Sequence, residues 1–517
     1  MKKNLVRVAV ASLLSVVSLA SCSGGPSNAS NPMEGVDWEA LKTGANGKTT
    51  VTLWTTIGQT NQAIFDQMIN AFESEYKGIE IDHVTKGGYD TLFSDVQTAI
   101  PAGTNPTMAY CYSDHVASYL NANFAVQDMT PYMTDETVGL GAGDTQFNGN
   151  DNGTAQSDFV QGYLEDGHNY IIDNERLSGY YSLPYTRSSE VLVYNKTFFE
   201  ANNLDASKLS TWKGVFELCK TIMDNHLLEI PETSFGKVAP LGYDSSDNMF
   251  ITMCQQLGIP YTDGTQENPL SFYIARNQGG KQLLSQLREY YDAGYFMTQD
   301  TAGGYTSSAF SKQQCFMTIS STAGINYCVP AADASGVAPF EVGVAPLPTM
   351  DDGSFVDGLE VNSDLAKTDA VISQGPSMCF FARATNMEKA AAWLFYKYTS
   401  GSYWNAVWAG ETGYEPVRNS AYDQQVFKDK TISTPSDSAD DKRKKEANAA
   451  VHELVREYGN EDRLYTSDVF VGSAQSRVAV GDLLSGALTH EGELTDEALD
   501  DLYYDYYNDA AQALPQA

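Results

Sequence analysis

Apolar positions in the first hundred residues beyond the N-terminal segment alternate between two periods. Thr50 to Trp54, TVTLW, reads as a buried strand. Ile64, Phe65, Met68, Ile69, Phe72 and Tyr76 then recur at the spacing of one helix face, with Gly78 placed to end it. A strand over Ile79 to Val84 follows, then a helix with Leu92, Phe93, Val96 and Ile100 on one side and a stop at Pro101, then a strand over Thr107 to Tyr112. Strand, helix, strand, helix, strand predicts a largely parallel sheet with helices on both faces.

The stretch GYYSLPYTRSSEVLVYNK, Gly179 to Lys196, reads as chain passing from one body to another. Pro184 denies the ladder a donor, Glu190 to Tyr194 is a β-branched and aromatic strand, and Asn195 is placed to cap a helix from Lys196. Between them Arg187, Ser188 and Ser189 put polar side chains at a seam, where small-molecule sites are common. Helices are predicted over Thr211 to Asp224, Lys281 to Ala293 and Thr495 to Leu514, and another starts from a cap at Asn386. Strands are predicted over Val238 to Tyr243, Gln314 to Ser321 and Glu341 to Pro348, the last a candidate second return between bodies; Gly375-Pro376-Ser377 leads into a buried strand. The Gly-, Asp- and Asn-rich segment Thr134 to His168 reads as a surface insertion. Within it Asn148, Asn150, Asn152 and Gly153 mimic part of a calcium loop, but Phe159 stands where the bidentate glutamate belongs, which favours a solvated loop.

At 517 residues the chain is long enough for at least two cores, and 42% hydrophobic and 11% aromatic residues place it among folded proteins. A formal net charge of -34 excludes general binding of nucleic acid and disfavours a polybasic membrane contact. At the N-terminus Lys2, Lys3 and Arg7 precede the apolar run Val8 to Ala20, an export signal too short to span a bilayer. Leu19-Ala20-Ser21-Cys22 resembles the bacterial lipobox, which implies that residues 1–21 are removed, that Cys22 carries lipid and that 22–49 is a tether. The alternative is a plain signal peptide with an incidental cysteine. The other six cysteines show no CxxC spacing, and most sit in apolar strings such as MAYCY and MCFF, so buried free thiols are expected.

No catalytic assembly is specified by spacing. Gly44 to Thr49, GANGKT, ends like a phosphate loop, but Lys42 replaces the first glycine and a strand follows where a helix should. Gly375 to Cys379 lacks the last glycine of a nucleophile elbow, and the six histidines form no HExxH. No cofactor and no metal are expected. Tyr89, opening a helix after Lys86-Gly87-Gly88, and Tyr112, Ser113 and Asp114, ending the third strand, stand where ligands meet open α/β sheets. Aromatic faces pack on the C–H faces of a sugar ring, and short polar side chains satisfy its hydroxyls.

From Val51 to the C-terminus the chain resembles the extracellular solute-binding lipoproteins of bacterial carbohydrate importers of the ATP-binding-cassette type. The resemblance rests on TVTLW, KGGYDTLFSDVQTAIPAGTNPTMAYCY, SLPYTRSSEVLVYNKTFFE, FMTISSTAG, EVGVAPLPT, AAWLFYKYTSG and WAGETGYEPVR, in that order. It implies an α/β periplasmic-binding-protein fold of two lobes, each a mostly parallel sheet flanked by helices, joined by crossing hinge strands. Residues 50–186 and 348–400 would form the N-terminal lobe, 187–347 and 401–517 the C-terminal lobe. It also implies no catalysis, a monomer, ABC permease subunits as partners, and anchoring to the cell membrane through Cys22, facing the periplasm or the outside.

FMTISSTAG, the Gly375 loop and TGYEPVR are most similar to the branch that includes glycerol-3-phosphate-binding proteins. That branch implies contacts at Tyr89, Ser113, Ser320 or Ser321, Gly375 and Tyr414. Tyr112, Asp114 and Ser188 join them as neighbours at strand ends and seam. This sequence departs from the branch at Ser113, where an acidic residue is usual, and at Asp247 and Phe250, where tryptophans are. It departs again at Phe470, which aligns with a phosphate-binding arginine. Without that clamp a neutral sugar or short oligosaccharide is expected, with Phe250 and Phe470 as stacking platforms. The alternatives are a glycerol-3-phosphate or glycerophosphodiester ligand and, from another class, a secreted glycoside hydrolase or surface adhesin.

Overall fold

The computed structural model describes residues 31–141, 155–168, 170–172, 175–228, 236–261, 278–330, 338–350, 355–356, 359, 366–466 and 469–513. The expected signal segment, Cys22 and the calcium-like stretch Asn148 to Gly153 lie outside the described residues.

Two five-stranded sheets organise two lobes. In the first, the strand Thr49–Thr55 sits between Ile79–Thr85 and Met108–Cys111 and pairs parallel with both, the first in register from Thr49 opposite Ile79 to Thr55 opposite Thr85. Met108–Cys111 is buried at all four positions, as a central strand covered on both faces must be. The helix Gln59–Glu75 turns the predicted stripe inward, burying Phe65, Met68 and Phe72, and Phe72 meets the Phe395 ring edge-on at 5.2 Å from the helix Asn386–Thr399.

The second sheet runs in the order Val342–Ala345, Glu190–Asn195, Met317–Ser321, Leu241–Tyr243, Phe296–Thr298. Behind it Trp212 opens the helix Trp212–Asp224, fully buried, its indole N–H donating to Gln256 Oε1 at 2.8 Å. Both sheets are mixed rather than mostly parallel. One strand in each sheet runs against the others, Ser377–Phe380 in the first and Glu190–Asn195 in the second; Leu183–Pro184 and Val342–Ala345 lie outside these at the sheet edges, pair antiparallel with them and so run with the rest.

Several local expectations change for identifiable reasons. The helix Tyr89–Ala102 runs through Pro101, which in the last turn removes only one backbone donor, and ends at Gly103 in the left-handed region at φ 67°. Gly78 does not cap the helix Gln59–Glu75; it lets two backbones approach, since a Cβ there would stand 2.1 Å from the Ala40 carbonyl oxygen. Thr385 rather than Asn386 caps Asn386–Thr399, in a reciprocal capping box with Glu388. Within the supposed tether, Trp38–Thr43 is a helix capped by Asp37, with Leu41 wholly buried. The helix Ser402–Thr412, expected in the C-terminal lobe, packs on Gln59–Glu75 and Asn386–Thr399 of the first. All six described cysteines are buried and free of disulfides.

Candidate functional site

Between the lobes lies a cavity of about 100 Å³ whose walls come from the end of the first sheet, from the crossing chain and from residues between Thr466 and Arg477. On the first lobe the strand Met108–Cys111 delivers Tyr112, in extended conformation, and then Ser113 and Asp114 at the start of the helix Ser113–Asn121; all three line the cavity. Tyr89, first residue of its helix after the extended Gly88, lies behind Tyr112 and stacks on it with centroids 4.3 Å apart and planes at 27°. The Tyr414 hydroxyl in turn stands within reach of the Tyr89 hydroxyl, and burial raises the pKa of both phenols, so they are neutral donors at ordinary pH.

The floor is the hinge. Arg187 exchanges backbone hydrogen bonds with Glu415, and Ser188 with Gln374, at 2.8 and 3.0 Å in the latter pair. The Arg187 guanidinium, only 2% exposed, is ion-paired with Asp166 and donates to Ser373 Oγ at 2.8 Å and the Gly375 carbonyl oxygen at 3.0 Å. One side chain therefore ties the outgoing strand to the returning loop and to the insertion segment. Burial pulls its pKa down to about 10, which still leaves it charged at neutral pH. Gly375 turns at φ 101°, and a Cβ there would lie 2.8 Å from Arg187 Cα, so the loop admits only glycine without shifting the hinge.

The second lobe brings Arg477, from the helix Ser473–Thr489, to the cavity wall. Its Nε lies 2.6 Å from Asp247 Oδ2, and its guanidinium also reaches Asn248 Oδ1. Burial works against its charge, but Asp247 and then Asp114 on the facing lobe more than offset this and raise its pKa. The cleft thus holds two arginines, each already facing a carboxylate, with Asp114 as a third acid between the lobes. Behind Arg477, Asn248 donates to Glu190 Oε1 at 2.7 Å and to Gln374 Oε1 at 3.1 Å, and Tyr243 donates to Glu190 Oε2 at 2.6 Å.

Of the residues expected at the site, Tyr112, Ser113, Asp114, Gly375 and Phe470 line the cavity, while Tyr89, Tyr414 and Asp247 stand directly behind its walls. The others lie elsewhere. Phe250 is fully buried in the helix Ser246–Leu257 and is no platform for a ligand. Ser188 is buried in backbone pairing, and Ser320 donates to Asp244 Oδ2 at 2.8 Å, a carboxylate that also holds the start of the helix Thr306–Ser311. Ser321 pairs opposite Glu190 and is absent from the cavity wall.

Arg187 was legible as a seam residue but not as a wall. Arg477 was not legible as a site residue, although it is the only basic residue in SAQSRVAVGDLLSGALT, a helix made mostly of apolar and small residues in an acidic chain. That isolation is the signal that could have found it.

A family model described as bacterial extracellular solute-binding protein matches residues 67–435. Among curated proteins, the sn-glycerol-3-phosphate-binding periplasmic protein UgpB of Brucella melitensis is 26% identical over 255 residues, 47% of this chain, and the match spans about half (50%) of that relative's length. Among solved structures, UgpB from Mycobacterium tuberculosis in complex with glycerophosphocholine superposes with a TM-score of 0.61 at 15% identity, covering 90% of this chain and 98% of that one. The GacH receptor of Streptomyces glaucescens, solved unliganded and with acarbose, gives 0.60 at 15% identity over 90% and 100%. Maltose-bound MalE3 of T. maritima gives 0.61 at 15% identity over 90% and 100%. At these identities the superpositions establish the two-lobed α/β fold.

Proposed function

We propose what the cleft holds from one premise: the chain belongs to the bacterial extracellular solute-binding protein family. The reading is a carrier that takes a neutral saccharide between its lobes, releases it unchanged and presents the closed form to an ABC permease. Lipid on Cys22 would hold it at the outer face of the cell membrane. The observation that carries the choice of ligand is the charge arrangement of the cleft. Arg187 faces Asp166 and Arg477 faces Asp247, so neither guanidinium offers a phosphate an uncompensated charge, and Asp114 would repel the dianion. A neutral polyol meets none of that repulsion. Its hydroxyls can accept from the arginines and donate to the carboxylates, while the Tyr112 ring offers an apolar face; Phe470, wholly buried like Phe250, backs the wall without being a stacking platform.

Glycerol-3-phosphate or a glycerophosphodiester is the second reading, the first suggested by the name of the Brucella relative and the second by the glycerophosphocholine complex. A zwitterionic ester would place its cation against the acidic wall. Thermal denaturation against a panel of neutral mono- to trisaccharides, glycerol-3-phosphate and glycerophosphocholine separates the two. A saccharide at about 100 times its Kd adds roughly 2.7 kcal/mol to the folded form and raises the midpoint. Midpoints that move only with the phosphate esters reject the saccharide reading.

A further inference from the structure

Glu415 is wholly buried, and its main chain and side chain serve different parts of the molecule. The main chain pairs with the hinge: the Glu415 N–H donates to the Arg187 carbonyl oxygen at 2.7 Å, and the Arg187 N–H donates back at 3.3 Å. The carboxylate Oε2 accepts from the Tyr422 hydroxyl at 3.2 Å and lies 2.8 Å from His452 Nδ1. A ring nitrogen facing a carboxylate at that distance is the one that carries the proton, so His452 donates as well. Tyr422 sits in the short 3-10 helix Asn419–Asp423, which packs on Ser402–Thr412 and through it on the first lobe. His452 sits in the helix Ala439–Asn460, which packs on the strand Val342–Ala345 of the second sheet, and the Tyr458 hydroxyl of the same helix accepts from the Leu347 N–H at 2.8 Å. One oxygen therefore accepts from both lobes, on the residue whose peptide group holds Arg187 in register.

Stability does not account for this arrangement. Among the described residues no lysine or arginine pairs with the Glu415 carboxylate, and Glu415 Oε1 and His452 Nε2 are both buried without a hydrogen-bond partner. A buried charge satisfied at one oxygen is costly, and apolar side chains of similar volume would hold the same corner at least as firmly. What directional bonds add is a single register. The cavity depends on that register, because the Arg187 guanidinium forms part of its wall and Tyr414, the residue before Glu415, stands behind it.

We propose that Glu415, gripped by His452 and Tyr422, is a positioning residue for ligand capture. It fixes the hinge register that sets Arg187 in the cavity wall, and affinity depends on it although it does not line the cavity. The inference goes beyond the choice of ligand and holds for a saccharide and a phosphate ester alike.

Three variants test it: His452→Phe, which keeps a ring and removes the donor; His452→Asn, which restores a donor near the position of Nδ1; and the apolar triple Glu415→Leu/Tyr422→Phe/His452→Phe. Amide hydrogen exchange is followed on peptides covering Arg187 and Glu415, and binding is measured by calorimetry with maltotriose, cellotriose, glycerol-3-phosphate and glycerophosphocholine. His452→Phe is expected to speed exchange in both peptides and to weaken the probe that binds about tenfold, with His452→Asn close to wild type in both respects. The triple variant is expected to melt at or above the wild-type midpoint and still bind about tenfold more weakly, a combination that a merely structural role does not produce. Should the triple variant fold poorly, the contrast between His452→Phe and His452→Asn decides. Wild-type exchange in His452→Phe, or wild-type affinity in the folded triple variant, overturns the proposal and leaves both ligand readings standing. If none of the four probes binds the wild-type chain, those readings lose their support, and the exchange of the two peptides alone decides for or against the positioning role.

Discussion

Arg477 Nε sits 2.6 Å from Asp247 Oδ2, joining a helix from the C-terminal end of the chain to one from its middle at the wall of the interlobe cavity. The two helices come this close because Gly481, one turn further on, has no side chain: a Cβ there would meet that of Asp247 at 3.1 Å. The guanidinium is thereby fixed before any ligand arrives, which removes an ordering cost from binding. Arg477→Ala is expected to weaken saccharide binding about 10- to 100-fold, the range for hydrogen bonds to a charged group. Arg477→Lys is expected to recover only part of it, because an ammonium cannot span Asp247 and Asn248 together. Equal affinities for wild type and both variants in calorimetry would remove Arg477 from the site.

Glu190 links that wall to the hinge strand and predicts a pH dependence. Burial raises its pKa to about 7, with the hydrogen bonds from Tyr243 and Asn248 opposing the rise, Asp247 reinforcing it and Arg477 again opposing it. A carboxyl whose folded pKa lies above its unfolded value, about 4.5, adds stability that is fully present below 4.5 and is lost as pH rises through 7. The loss for this group is on the order of 3 kcal/mol. Thermal melts between about pH 4.5 and 8 are expected to show a falling midpoint that Glu190→Gln flattens. An identical slope in the variant would show that Glu190 does not titrate in that window.

Gly375→Ala tests the loop that closes the cavity floor. A side chain at φ 101° is strained, and its Cβ would crowd the Arg187 backbone and the Thr186 carbonyl oxygen at 2.8 Å. Strain of this kind costs about 1–3 kcal/mol. A lowered denaturation midpoint together with weaker ligand binding is expected, since Arg187 donates to this residue's carbonyl oxygen. A midpoint equal to wild type would mean that the loop relaxes freely.

Tyr89 separates stacking from hydrogen bonding. Tyr89→Phe keeps the ring on Tyr112 and loses the approach to Tyr414, whereas Tyr89→Ala loses both. Affinity near wild type for the phenylalanine variant and about tenfold weaker for the alanine variant is expected by titration. Loss of binding in both to the same degree would place the weight on the hydroxyl.

How far the sequence carried differs between fold and site. The elements of the first lobe were readable because their periodicity is strong: the stripe Phe65, Met68, Phe72 and the wholly buried Met108–Cys111 are consequences of local spacing. The crossing stretch around Arg187 was readable from its mixture of proline, serine and β-branched residues. Sheet direction at the returning strands was not, because antiparallel pairing of Ser377–Phe380 with Met108–Cys111 joins residues far apart in the chain. The site divides in the same way. Tyr112, Ser113 and Asp114 follow from being at a strand end, a local fact. Phe250 was misplaced because helix rotation decides which side of Ser246–Leu257 faces the cleft; the cleft side goes to Asp247, and Phe250 turns into the core. Arg477 could be assigned only once its helix was seen against Asp247.

A ligand gripped between two hinged lobes draws them together, and solution X-ray scattering reads this directly. With the saccharide that raises the melting midpoint, the radius of gyration of the full chain is expected to fall on titration and to level off at one equivalent, as the open form gives way to the closed one. A radius of gyration that stays constant to saturation, with binding verified in the same sample, would contradict a ligand held between the lobes.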